Sequence, residues 1–144
     1  MSVIDTAIAR LQALALTSGT TDGTVTVNFA PNYPVEDSSV LPMAITHIIS
    51  GTASLDNATT LRFQPTVAVD FLFSRLNLKQ AYTEINTVAV NFAKLLGGDP
   101  TLNSSVDTIN FPVQMTTSPV EFNKVILELL RFEIPLKTLE TPTT

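Results

Sequence analysis

The chain has 144 residues and a formal net charge of −5; 44% of its residues are hydrophobic, only 15% are charged, and it contains no cysteine or tryptophan. The length suits one domain, able to bury about 70% of its unfolded surface without a metal or disulfide staple. The missing cysteine excludes disulfides, thiolate catalysis and zinc–thiolate sites, and fits folding in a reducing compartment.

Thr, Ser and Asn take the place of charge, which falls well below the usual ~25%. Such a surface resembles an interface, or alternatively a β-rich chain with many Thr-bearing strands. The acidic balance argues against a general nucleic-acid surface. Up to residue 60 the only base is Arg10, against Asp5, Asp22, Glu36, Asp37 and Asp56.

Residues 2–16 read as a helix with Ser2 as its N-cap and Asp5 near the positive end of the dipole. Ile4, Ala7, Ile8, Leu11 and Leu14 form its apolar stripe. This spaced pattern is an amphipathic helix and not a signal peptide. No apolar run approaches the ~20 residues of a membrane span.

Residues 24–30 alternate, with Val25, Val27 and Phe29 on one side, and read as a half-buried strand. Pro31, Pro34 and the run Glu36–Ser39 form a loop. A strand over 41–54 has apolar residues on both faces, as expected of a central strand or one under a partner. A turn over 56–60 leads into a long strand, 61–75, where Phe63, Val67, Val69, Phe71 and Phe73 mark the buried side. Pro65 predicts an edge position or a bulge.

Asn77 caps a helix running to about Leu96, with a stripe from Leu78 through Ala81, Ile85, Val88 and Phe92, ended by Gly97 and Gly98. After a polar loop, two strands follow, about 109–117 and 124–137. Ser118–Pro119 begins the turn between them, and the tail 138–144 reads as mobile. Three strands, a helix and a hairpin predict an α+β domain. It has a mostly antiparallel sheet of about four to five strands packed against two helices. Residues 1–144 form a single domain, with 1–137 as its core.

Chemistry-bearing patterns are sparse. The lone histidine, His47, lies mid-strand without a carboxylate nearby in sequence, and reads as a packed or interface histidine. Glu36 and Asp37 are adjacent in a loop, which does not converge two carboxylates on one ion. Asp70 interrupts an apolar strand and should point away from Val69 and Phe71, toward solvent or a partner, within reach of Arg75 or Lys79. There is no Gly-x-Ser-x-Gly elbow, and Gly97–Gly98 follows a helix instead of opening one, so it is no phosphate cradle. No catalytic, cofactor or metal residue is assigned, and the chain is expected not to be an enzyme.

The stretches IDTAIARLQALAL, YPVEDSSVLPMAITHI, LRFQPTVAVDFLF, LKQAYTEINTVAVNFAKLL and VILELLRFEIPLK resemble, in order and texture, the tail-terminator proteins of lambda-like long-tailed phages. The resemblance spans nearly the whole chain but carries no invariant motif. It implies a virion protein at the tail–neck junction, assembled in the host cytoplasm. Such a subunit forms a homo-oligomeric ring, of six copies in that family, that docks on the tail-tube protein, ends tube polymerisation and meets a neck or head-completion protein. DNA would be met only by passage through the lumen, and no cofactor or membrane is implied. Interface candidates are Glu36, Asp37, Asp70, Arg75 and Lys79, with the loops 31–41 and 97–108 and the tail. Arg75→Glu is expected to weaken assembly while leaving the subunit folded. The alternatives are another head–tail adaptor or neck protein, a tail-tube subunit, or a small enzyme using His47.

Overall fold

The computed structural model describes residues 3–20, 23–28, 30–32, 41–122 and 124–140. Helix α1 (Val3–Leu16) is followed by strands β1 (Met43–Asn57) and β2 (Thr60–Ser74), helix α2 (Leu78–Gly97), the short β3 (Thr108–Ile109), β4 (Gln114–Phe122) and β5 (Val125–Glu140). All pairings are antiparallel, in the order β1–β2–β5, with both β3 and β4 paired to β5. A strand has two edges and β2 occupies one of them, so β3 and β4 lie end to end along the other. The expected α+β architecture is present: one antiparallel sheet and two helices.

The period of two along the strands sorts side chains onto two faces. Val67, Val69, Phe71 and Phe73 of β2 join Leu130, Phe132 and Ile134 of β5 against Ala7, Leu11 and Ala15 of α1 and Ile85, Val88 and Phe92 of α2. Phe71, Phe92 and Phe132 meet edge to face, with ring centroids 4.8–6.1 Å apart. The opposite face carries a smaller cluster of Met43, Ile45, Leu72 and Leu127, to which neither helix contributes.

Local chemistry sets the element ends. The Asn77 side chain accepts from the Gln80 amide, as expected of an N-cap, and Gly98 closes α2. Asn57 Oδ1 accepts from the Thr59 amide in the β1–β2 turn.

Several expectations are corrected. Residues 23–28 form no strand, the chain bending at 23–25 with Gly23 at φ 79°, although Val25 and Val27 are buried; Phe29 lies outside the described residues. Among the described residues, the backbone hydrogen bonds between this segment and the chain at the start of β1 are Asn28 N–H to Pro42 O (2.8 Å) and Thr46 N–H to Pro31 O (3.1 Å). Pro31 and Pro42 can accept but not donate, so a continuous ladder cannot form. β1 is an edge strand rather than a central one, and β2 is central despite Pro65. The β2–β5 ladder skips that proline, stepping from Phe63↔Thr138 to Thr66↔Pro135. Across the other side Pro65 faces Gly51, where a Cβ would lie only 3.0 Å from the Pro65 Cα. Glycine there lets the two backbones close.

Ser118 and Pro119 do not turn the chain. They sit inside β4 opposite Leu129 and Glu128, and the reversal falls between Phe122 and Val125, with Lys124 at φ 65°. An outermost strand tolerates a missing N–H, which is why proline survives there. The expected strand 109–117 is instead divided, β3 and β4 being separated by residues 110–113 around Pro112. The core does not stop at residue 137: β5 continues to Glu140, and the buried Thr138 donates its hydroxyl hydrogen to Phe63 O at 3.3 Å. Residues 141–144 of the expected mobile tail lie outside the described residues.

Candidate functional site

The helix-free face of the sheet carries a polar row. Asp70 on β2 lies between Ile45 of β1 and Arg131 of β5 in the strand register. It is 7% exposed. Arg131 grips it with Nε donating to Oδ1 at 2.7 Å and Nη2 to Oδ2 at 2.8 Å. This planar fork is the strong form of a carboxylate pair. His47 Nε2 stands 3.2 Å from Asp70 Oδ2. The hydrogen bonds that Arg131 donates to Asp70 raise the Arg131 pKa against the effect of burial, and the charges of Asp70 and Glu133 add to them. Beside the row opens a cavity of about 230 Å³, whose apolar walls include Ile45, Leu72, Phe122 and Leu129.

Asp70 does point away from Val69 and Phe71. Its expected partners were wrong: it meets Arg131, 61 positions away, and not Arg75 or Lys79, and it is buried instead of facing solvent. The clue was a base set in the apolar run LLRFEI facing a carboxylate set in the apolar run VAVDFLF. Asp70 also supplies the carboxylate that His47 lacks in local sequence. A catalytic pair of this kind needs a nucleophile or substrate proton within reach. Among the described residues no hydroxyl is hydrogen-bonded to His47, and no group of three metal-ligating side chains converges.

Arg75 is likewise engaged within the subunit. Its Nε lies 2.7 Å from Oε1 of Glu128, whose other oxygen accepts from the Tyr82 hydroxyl at 3.2 Å. The Arg75 N–H is not aimed at the oxygen, so the contact is a close ion pair without an aligned hydrogen bond. Glu128 is 1% exposed. It shares the helix-facing side of β5 with Leu130 and Phe132, a position that by itself demands a partner. Lys79 is exposed in the first turn of α2, while Glu36 and Asp37 lie outside the described residues.

The loop after α2 also turns inward. Leu102 and Val106 are buried, the Ile109 amide donates to Pro100 O, and Arg10 Nε donates to Asp99 Oδ2 at 2.7 Å, joining α1 to this loop.

What remains open is the sheet's border. Hydrogen bonds from Asn28 and to Pro31 cover the start of β1, as far as Thr46. From Ile48 to Asn57 every residue is exposed, including Ile48, Ile49 and Leu55, the last at 66%. Asp56 is the only ionisable side chain in that stretch. On the far border, Gln114–Pro119 of β4 are all exposed and uncharged. Edge strands usually carry lysines, inward charges or strong bulges that block pairing. Apart from Pro119 and the irregularities at Ile49 and at the charged Asp56, these borders have little of that protection.

No protein-family model and no curated protein matches this chain. Among the described residues, no helix is long and apolar enough to cross a membrane.

Proposed function

We propose that this chain is the subunit of a homo-oligomeric ring that caps the tail tube of a long-tailed phage. There it would end tube polymerisation and join the tail to the neck. The observation that carries this reading is the pair of exposed, charge-poor sheet borders on a subunit whose buried carboxylates Asp70 and Glu128 are ion-paired within it. Surfaces of that kind suit repeated protein–protein contact, and two different borders suit head-to-tail contact, which closes into a ring when the rotation between neighbours divides a full turn. The resemblance in element order to tail terminators supplies the number six, the tail-tube and neck partners, and a lumen through which DNA passes. The site of action would be the virion's tail–neck junction, after assembly in the host cytoplasm. The chain would act by shape and edge complementarity, without catalysis or cofactor.

Mass measurement over a concentration series, with negative-stain imaging alone and with tail-tube protein, tests this. Discrete rings that cap tubes and never stack are expected. Open-ended tubes of this chain alone would identify a tail-tube subunit, and binding to a portal but not to tubes would identify a head-side adaptor. A monomer that leaves tube length unchanged would sink the reading. The enzyme alternative draws on the His47–Asp70 contact; a His47→Ala variant that assembles normally removes its main support.

A further inference from the structure

We infer that the ring seam is a strand pairing, with the free stretch Ile48–Leu55 of β1 in one copy adding to the Gln114–Ser118 edge of β4 in the next; this rests on the ring reading above. Among the described residues nothing pairs with the outer edge of this exposed part of β1, which begins just beyond the point where the Asn28–Pro31 segment stops covering the same edge. Its unpaired backbone donors and acceptors need a strand or water. A partner that replaces water there has to present an extended edge, and β4 presents one at the opposite border of the same sheet. Pro119 cannot donate to a ladder, which sets the end of the pairing segment.

Charge and topology favour this occupant over a two-fold pairing of β1 with its own copy. Neither Ile48–Leu55 nor Gln114–Ser118 holds a charged residue, so the edges can meet without desolvating an ion. A β1–β1 contact closes a dimer and leaves every β4 edge open. A β1–β4 contact covers both borders of every copy with one kind of seam, and it is heterologous, as a ring requires. The exposed side chains of Ile48, Ile49 and Met115 would then lose water at the seam.

The test is a charge swap across the seam. Thr52 and Ser118 are exposed and, by alternation from Asp70 and Leu129, stand on the same helix-free face. Thr52→Lys and Ser118→Glu are made singly and together, with circular dichroism and melting temperature confirming the fold. Each single variant should raise the concentration needed for half-assembly by roughly tenfold or more. The double variant, which sets Lys against Glu at every seam, should recover most of that loss. If Thr52→Lys blocks assembly, Ser118→Glu does not, and the double variant stays blocked, β1 pairs with β1 and the inference is overturned. If rings form and both single variants assemble as the wild type, the strand seam is wrong while the ring stands. A wild type that forms no ring, alone or on tail tubes, removes both.

Discussion

Arg131 holds both carboxylate oxygens of Asp70 across the β2–β5 ladder, at 2.7 and 2.8 Å, on the face of the sheet that neither helix covers. The two ends of the pair are unequally buried: the Arg131 side chain is 32% exposed and that of Asp70 is 10%. Removing the base strands a buried anion, whereas removing the acid leaves a cation that reaches water. Arg131→Met should therefore destabilise the fold more than Asp70→Asn, by about 2–3 kcal/mol against about 1 kcal/mol. Urea unfolding of both variants checks the order, and equal losses would show that the burial difference does not matter.

The pairing of Arg75 with Glu128 reverses an expectation drawn from sequence. Arg75→Glu would place a second carboxylate against one that is 1% exposed. The result should be loss of folding stability, by roughly 3 kcal/mol, and not a folded subunit that merely fails to assemble. Glu128→Gln keeps the shape and its contact with Tyr82, and should partly rescue Arg75→Glu in a double-mutant cycle. Thermal melts of the four proteins decide it; a stable Arg75→Glu monomer would return Arg75 to the interface.

Phe92 is fully buried where α2 meets Phe71 and Phe132 on the sheet. Phe92→Ala should cost about 3–5 kcal/mol from lost burial and the cavity left behind. Chemical denaturation measures this directly. Val90→Ala, on the exposed side of the same helix, should change stability by less than about 0.5 kcal/mol.

Asp99 gives the fold an acid-sensitive tie. Burial works to raise its pKa, but hydrogen bonds from Arg10 and the Asn103 amide, with the Arg10 charge, bring it below the usual 3.8. A lowered carboxyl pKa contributes stability that is complete above the unfolded value and lost as pH falls through the folded one. Arg10→Gln should thus lower stability near neutrality by about 1 kcal/mol or less, since Arg10 is well exposed. Wild type and variant should converge as pH drops below about 4. A gap that stays constant down to strong acid would point to lost packing by the Arg10 stem instead.

Much of the architecture was legible in the chain because it depends on short-range periodicity. The apolar stripe Ala7, Leu11, Leu14 and the cap Asn77 with its stripe Ala81, Ile85, Val88, Phe92 specify both helices wherever they dock. Alternation through Val67, Val69, Phe71 and Phe73 specifies a long strand with one heavily apolar face and Asp70 on the other. Those patterns, with the low charge and missing cysteine, fix the fold class and narrow the available chemistry.

Only the tertiary structure decided what each strand lies beside. Pro65 fits a central strand because Gly51 opposite has no Cβ and the β5 ladder skips that position. The segment before β1 makes no ladder among the described residues, where its backbone bonds fall on Pro31 and Pro42, which cannot donate in return. The register also pairs Asp70 with Arg131, and the fold brings Arg75 to Glu128, contacts separated by 61 and 53 positions. A residue's own neighbours in sequence carry no record of such partners. The sequence by itself sets which side chains seek burial; the sheet order sets which buried charges are matched and which borders are left open for another chain.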